Sequence, residues 1–384
     1  MAVDILTQIN TYQPILFLII AIFIASLISL RVGLAVAIIE LIVGAIFGNL
    51  GLLHATDWMT LLAGFGGILL TFMAGTEIDT HVMREKYKES FLIGFFSFLA
   101  PFIGASLYTY FIAGWNLQAS LIAGIALSTT SLAVVYSVLM ETPLQDANLA
   151  KIVLAATFIT DMSTVIVLSI LFIKPDLYTL LFIIVSVIGI ILAAKYSKHI
   201  FNHEKLKNKV IEPEIKYIFL ILVIFMYFAA IGNGEAVLPA FVLGLLMSKE
   251  LAKVKELMVR MRTVAYAVIT PVFFIVGGLK ISIPFILAGL GLFIILFAVK
   301  IVAKFIGVYF FANKYIPNGS MYTTLLMSTG LTFGTIASLF GFNAGIIDQM
   351  QYSILVGVVV SSAIIPTFIA QKWFLPKHSE DMIE

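Results

Sequence analysis

A succession of apolar runs, each about 17–28 residues long and separated by short polar breaks, constrains the fold of this chain more than any other feature. At about 1.5 Å of helical rise per residue, runs of this length match the ~30 Å hydrocarbon core of a bilayer. They do not alternate with period two, so they read as helices and not as barrel strands. Apolar residues make up 61% of the 384 and charged residues 11%, against roughly 25% charged in a soluble domain. A water-soluble domain cannot bury that much apolar surface. Lipid is then the solvent, and the backbone has to satisfy its own hydrogen bonds. The first run, residues 14–30, is long enough to span and lacks a basic leader and a small-residue cleavage site, so no cleavable signal peptide is expected. The absence of cysteine removes disulfide and thiol chemistry. No Gly-rich phosphate loop, Cys/His cluster or H-E-x-x-H string occurs, so neither an enzyme module, a cofactor nor a nucleic-acid partner is expected.

The apolar runs and their breaks predict an all-α polytopic protein of thirteen transmembrane helices. They cover residues 14–30, 34–50, 58–79, 89–113, 117–140, 149–173, 177–196, 214–232, 235–249, 263–279, 283–311, 320–340 and 349–374. Basic residues test this count, because cytoplasmic loops are enriched in Lys and Arg. With the N-terminus outside and the C-terminus cytoplasmic, 19 of the 23 lysines and arginines lie in cytoplasmic loops. Only Lys174 and Lys280 lie opposite, and Lys300 and Lys304 fall inside the eleventh span. Miscounting by one helix would scramble that asymmetry.

An internal echo joins the fifth and twelfth spans. Ala126-Leu127-Ser128-Thr129-Thr130-Ser131-Leu132 parallels Leu326-Met327-Ser328-Thr329-Gly330-Leu331-Thr332, offset by 200 residues. With the spans between them, the two segments run in opposite directions through the membrane. Inverted-topology repeats with discontinuous helices meeting near the midplane have this property.

Ionisable groups within a bilayer are costly, by roughly 2.5–3.5 kcal/mol on insertion scales, so each one at depth needs a reason. Among the acids only Glu40 and Asp161 lie deep within spans. Asp161 is twelve residues from either end of the sixth span, about 18 Å at the helical rise, and therefore at mid-bilayer. Two readings stand for it: a structural partner for a lysine, or a hard-cation ligand among the hydroxyls of Thr157, Thr160, Ser163 and Thr164. Those hydroxyls can equally bond back to their own helix. In the second reading a proton and a monovalent cation each neutralise the carboxylate, so a single site has two mutually exclusive occupants. The Ser/Thr-rich breaks around Ser128, Thr129, Thr130, Ser131 and Thr332 would add unwound carbonyls and half-helix dipoles.

Lys300 and Lys304 are four residues apart and share a helix face. Lys304 either snorkels to the cytoplasmic interface or turns inward as a charge-tuning group. Glu40 is a further candidate, with a packing role as the competing reading. Glu77 and Asp79 read as interfacial.

Four segments resemble the bacterial and archaeal sodium/proton antiporters of the cation/proton antiporter superfamily, in the NapA-like and Kef-like branch. The stretch from Arg31-Val32-Gly33 to Glu40-Leu41-Ile42-Val43-Gly44-Ala45-Ile46-Phe47-Gly48 is similar to the family's early glycine-rich helix. Phe72-Met73-Ala74-Gly75-Thr76-Glu77-Ile78-Asp79 resembles its F-L-A-G-L-E segment. Ser128-Thr129-Thr130-Ser131-Leu132-Ala133-Val134-Val135 resembles the unwound crossing helix, and Ala155-Ala156-Thr157-Phe158-Ile159-Thr160-Asp161 the ion-binding helix.

The resemblance implies the antiporter fold of inverted repeats, with residues 1–80 and 214–280 as a dimerisation scaffold. Residues 81–174 and 281–376 would form the ion-transporting core, and 175–213 a linker helix and cytoplasmic loop. Asp161 falls on the family's cation-and-proton carboxylate, and Lys304, in Lys304-Phe305-Ile306-Gly307, on its core lysine, with Lys300 the fallback. Many electrogenic members have two adjacent aspartates, and here the first position is Thr160. That departure implies one proton per cation and electroneutral exchange, and leaves K⁺ as an alternative to Na⁺. The expectation is a homodimeric plasma-membrane Na⁺/H⁺ antiporter, with Thr129, Thr130 and Thr160 coordinating or shaping the site. A cation channel and an organic-anion symporter are the readings from other classes; the chain has no selectivity-filter string of the TVGYG type.

Overall fold

The computed structural model describes residues 2–32, 35–76, 86–140, 148–172, 177–203, 211–232 and 236–376, and the regular elements among them are all helical. In chain order these are α1 (Ala2–Val32), α2 (Val36–Asn49), α3 (Asp57–Thr76), α4 (Tyr87–Phe111), α5 (Leu117–Ser128), α6 (Leu132–Met140), α7 (Asn148–Phe172), α8 (Leu177–Asn202) and α9 (Pro213–Ile231). There follow α10 (Val237–Lys253), α11 (Lys255–Val264), a π-helical turn (Ala265–Ile269), α12 (Thr270–Leu279), α13 (Ile283–Ala288), α14 (Leu290–Tyr315), α15 (Ser320–Met327), α16 (Thr332–Asn343) and α17 (Gln349–Trp373).

Ten helical segments among the described residues are long and apolar enough to cross a bilayer. The other three predicted spans coincide with shorter or interrupted helices. The second is the 14-residue α2, the fifth is the broken pair α5 and α6, and the ninth is the 17-residue α10. Other boundaries differ for local reasons. The predicted eleventh span is two helices: Ser282 caps the N-terminus of α13, accepting from the Phe285 amide, and Gly289 ends it. The tenth extends back to Lys255 through the π-helical turn. Glu77 and Asp79, named from the sequence as interfacial acids, lie outside the described residues.

Packing divides the chain into two compact units. One comprises residues 55–78 and 165–276. Its apolar core draws on α3, α8, α9, α10 and α11, with Phe72, Phe201, Phe225 and Leu243 fully buried. There α3 and α10 approach backbone to backbone: a Cβ on Gly75 would overlap the Phe241 carbonyl, and one on Gly244 the Phe72 carbonyl. Only glycine permits that separation.

The other unit comprises residues 1–54, 79–164 and 277–384. In it α4 packs along α14, with Gly307 set against the Phe96 carbonyl. The same α4 meets α7 at Gly94, where a Cβ would overlap the Ala156 carbonyl. A capping box starts α17, in which Asp348 accepts from the Gln351 amide and the Gln351 side chain accepts from the Asp348 amide. The grouping follows packing within the chain; the scaffold and core named above concern which helices move together, a separate property.

Candidate functional site

The two echoed strings are where two helices come apart. The chain leaves helical geometry at residues 129–131, between α5 and α6, and again at 328–331, between α15 and α16. The breaks lie against each other, since the Ser131 amide donates to the Thr329 carbonyl at 3.1 Å and Thr130 Oγ1 to the Met327 carbonyl at 2.9 Å. Along α5 and α16, Gly334 sits against Ala126 and Thr129 while Gly341 sits against Ile122. One index rises as the other falls, so these half-helices are antiparallel.

Interrupting a helix leaves its last carbonyls without amide donors. Hydroxyl groups take or share that role at both breaks, the Thr329 amide still reaching the Leu326 carbonyl at 3.2 Å. Ser128 Oγ donates to the Ile125 carbonyl (2.8 Å) and Thr129 Oγ1 to that of Ala126 (3.1 Å). In the second break Ser328 Oγ donates to Thr324 (2.7 Å) and Thr329 Oγ1 to Leu326 (2.8 Å). The Ser/Thr content of the echo is thus accounted for locally: these side chains cap half-helices where water is excluded.

The Ser128 carbonyl is met by Lys304. From α14, Lys304 Nζ donates to this carbonyl at 2.7 Å, to Ser97 Oγ at 2.8 Å and to Thr130 Oγ1 at 2.9 Å. The lysine is fully buried and does not snorkel. A cation at a half-helix C-terminus also opposes the negative end of its dipole. One turn earlier, Lys300 is equally buried, but its Nζ has no hydrogen-bond partner among the described residues. It lies beside Gly330, where a Cβ would fall 2.6 Å from Lys300 Nζ, 2.6 Å from Thr129 Oγ1 and 2.7 Å from the Thr129 carbonyl. Gly330 is therefore required for close approach.

Asp161 is 2% exposed and lies in the interior of α7. Around it, Thr160 Oγ1 shares its one proton between the Gly94 and Ala156 carbonyls, both at 3.1 Å. Thr157 Oγ1 donates to the Val153 carbonyl at 2.9 Å, with Met327 Sδ a second acceptor at 3.4 Å. Ser163 and Thr164 bond back to Ile159 and Thr160. Ser131 is buried with no partner for its hydroxyl among the described residues, and Thr332 is half-buried at the start of α16.

The structure thus gathers Ser128, Thr129, Thr130, Ser131, Lys300 and Lys304 around the paired breaks, with Asp161, Thr160 and Thr157 on α7. Glu40 is buried on α2, and one of its carboxylate oxygens lacks a hydrogen-bond partner among the described residues. Sequence reading missed Ser97, Gly94, Met327 and Gly330. A signal existed for the first two. Ser90, Gly94, Ser97, Pro101 and Ala105 are small buried residues at helical spacing, marking one face of an otherwise bulky span.

Chemically, the arrangement offers one buried carboxylate, two buried ammonium groups and a set of capped half-helix ends. Comparison with known proteins bears on what such a constellation belongs to. The chain is 28% identical over 390 residues to the probable Na(+)/H(+) antiporter 3 of Methanocaldococcus jannaschii, covering 96% of this chain and 98% of that one. It is 27% identical over 382 residues to the Na(+)/H(+) antiporter of Enterococcus hirae, covering 94% and 97%. Its fold matches the sodium proton antiporter MjNhaP1 of M. jannaschii with a TM-score of 0.70 at 15% identity, over 94% of this chain and 99% of that one. The sequence model of the transmembrane sodium/hydrogen exchanger family matches residues 17–374, and the chain belongs to that family.

Proposed function

We propose that the chain exchanges Na⁺ for H⁺ across a membrane by alternating access, with Asp161 binding the two competitively. The observation that carries this reading is a single carboxylate, 2% exposed, inside a long apolar helix beside two interrupted helices. Names of the relatives support the Na⁺/H⁺ pairing. An ionised carboxylate in a low-dielectric interior is unfavourable, and either a proton or Na⁺ removes its net charge. Occupants that exclude each other at one carboxylate couple the two fluxes. Lys304, tied to the α5 terminus, then acts as a fixed positive charge that makes the empty carboxylate tolerable.

Oxygen ligands for the cation come from Asp161 and from hydroxyls whose protons are already donated elsewhere, leaving lone pairs free. Thr160 and Thr129 fit that description, and Thr130 keeps one lone pair beside the bond it accepts from Lys304. With Thr160 in place of a second carboxylate, the exchange is one proton per cation. The working protein is a homodimer of a plasma membrane, with residues 1–80 and 214–280 as scaffold, residues 81–174 and 281–376 moving as the core, and the C-terminus cytoplasmic. The charge asymmetry of the loops supports that orientation.

The test is reconstitution of the purified protein into proteoliposomes with a pH dye. Na⁺ or Li⁺ addition is expected to collapse an imposed pH gradient in the wild type, and K⁺ or Rb⁺ to do so less. Asp161→Asn is expected to behave as empty liposomes do. Exchange that survives Asp161→Asn sinks the mechanism, and a screen in which K⁺ outperforms Na⁺ reassigns the cargo.

A further inference from the structure

Met327 ends α15 and is fully buried, and the Na⁺/H⁺ reading gives it no part. Two of its atoms nevertheless join elements that carry the site. Its Sδ lies 3.4 Å from Thr157 Oγ1 on α7, as the second acceptor of a proton shared with the Val153 carbonyl, and its own carbonyl accepts from Thr130 in the first break at 2.9 Å. Thr130 Oγ1 is in turn a partner of Lys304 Nζ at 2.9 Å. Thr157 and Asp161 are four residues apart, hence on one helical face. A continuous chain of contacts therefore runs from the Asp161 face of α7 through Thr157, Met327 and Thr130 to Lys304. In the echoed sequence the equivalent of Met327 is Leu127, an apolar side chain without an acceptor. The bridge is present on one side of the pseudo-symmetric pair only.

Resting on the Na⁺/H⁺ exchange proposed above, we infer that Met327 is a positioning residue: it fastens the Asp161 face of α7 to the crossing of interrupted helices and so sets cation affinity. A leucine of similar volume would fill the same space. What it cannot do is accept a hydrogen bond. Thr157 would still donate to the Val153 carbonyl, so no hydroxyl becomes an orphan and the fold stands. Only the direct tie between α7 and α15 is lost, and Asp161 is held less closely to the break.

The experiment measures initial exchange rate against Na⁺ concentration and pH in proteoliposomes, for Met327→Leu, Thr157→Val, the double variant and Thr157→Ser. A single weak hydrogen bond corresponds to roughly a 3- to 10-fold change in an equilibrium constant. Met327→Leu and Thr157→Val are each expected to raise the half-saturating Na⁺ concentration by that factor, with maximal rate within about twofold. The double variant should be no worse than either single, and Thr157→Ser, which keeps the hydroxyl, should restore affinity. Thermal melting in detergent shows whether each variant is folded. Unchanged affinity in Met327→Leu, or effects that simply add in the double variant, overturns the inference. Should Met327→Leu not fold, the Thr157→Val and Thr157→Ser pair decides alone: no difference between them overturns it. Failure of the underlying reading is distinguishable, because it would appear as Asp161→Asn retaining exchange.

Discussion

The two breaks in the helical pairs share a Ser-Thr step, Ser128-Thr129 and Ser328-Thr329, and are solved differently. At residues 129–131 the strand of hydroxyls is completed by an ammonium: Lys304 reaches the Ser128 carbonyl, Thr130 and Ser97. At residues 328–331 the position matching Thr130 is Gly330, and the space it leaves is taken by Lys300, which has no such bonds. Two lysines one turn apart on α14, both fully buried, are therefore different objects. Lys304 is a structural cation with its donors used. Lys300 is a buried charge held by packing. A quasi-symmetric frame can thus host an asymmetric site, and a repeat in sequence does not by itself assign equal roles to equivalent positions.

The largest effect is expected at Gly330. A Gly330→Ala methyl would meet three atoms below 3.0 Å, two of them on Thr129 and one the tip of Lys300. Overpacking of this kind costs about 1–3 kcal/mol. The expected result is a lower melting temperature in detergent and loss of most exchange activity. Full activity in Gly330→Ala would mean that Lys300 and the first break can separate freely.

Next in size is the contrast between the lysines. Lys304→Met strips a charged donor from three buried acceptors, at about 1–3 kcal/mol. Lys300→Met strips none, and replacing an unpaired buried charge by an apolar side chain is often neutral or stabilising. Thermal melts of the two variants should therefore differ, with Lys304→Met the less stable. Equal losses would put the lysines in the same role.

Smallest is the effect expected of membrane voltage. With one carboxylate and Thr160 at the neighbouring position, clamping the potential with K⁺ and valinomycin should change neither the rate nor the extent of Na⁺/H⁺ exchange. A marked response would show that a second group changes charge during the cycle, and Lys300 is where it would be sought, by repeating the clamp on Lys300→Met.

Much of this protein is legible along the chain. The helical class, most of the spans, the depth of Asp161 and the location of both breaks follow from run lengths and from the Ser128 and Ser328 strings. Helix ends were less legible, as at Gly289, because a short break inside an apolar run has little effect on hydropathy. Candidate ligands were legible by type but not by role. Thr129 and Ser128 were named for their oxygens, and the structure turns their hydroxyl protons to the carbonyls of α5. The same back-bonding occurs inside intact helices, as at Ser163 and Thr164, so residue type alone does not separate a ligand from a helix-bonded hydroxyl.

Run lengths and composition along the chain were enough to place it in lipid, to make its spans helices and to single out Glu40 and Asp161 as buried carboxylates. The reason is energetic: a bilayer tolerates no unpaired backbone and few charges, so both leave plain marks in composition. Packing across the fold, by contrast, sets which lysine finds hydrogen-bond partners among the described residues, why residue 330 has no side chain, and that Met327 and Ser97 belong beside the site. These depend on separations of 2.6–3.4 Å between residues as far as 207 positions apart. No local propensity encodes such distances; they are set by how closely glycine-lined helices pack.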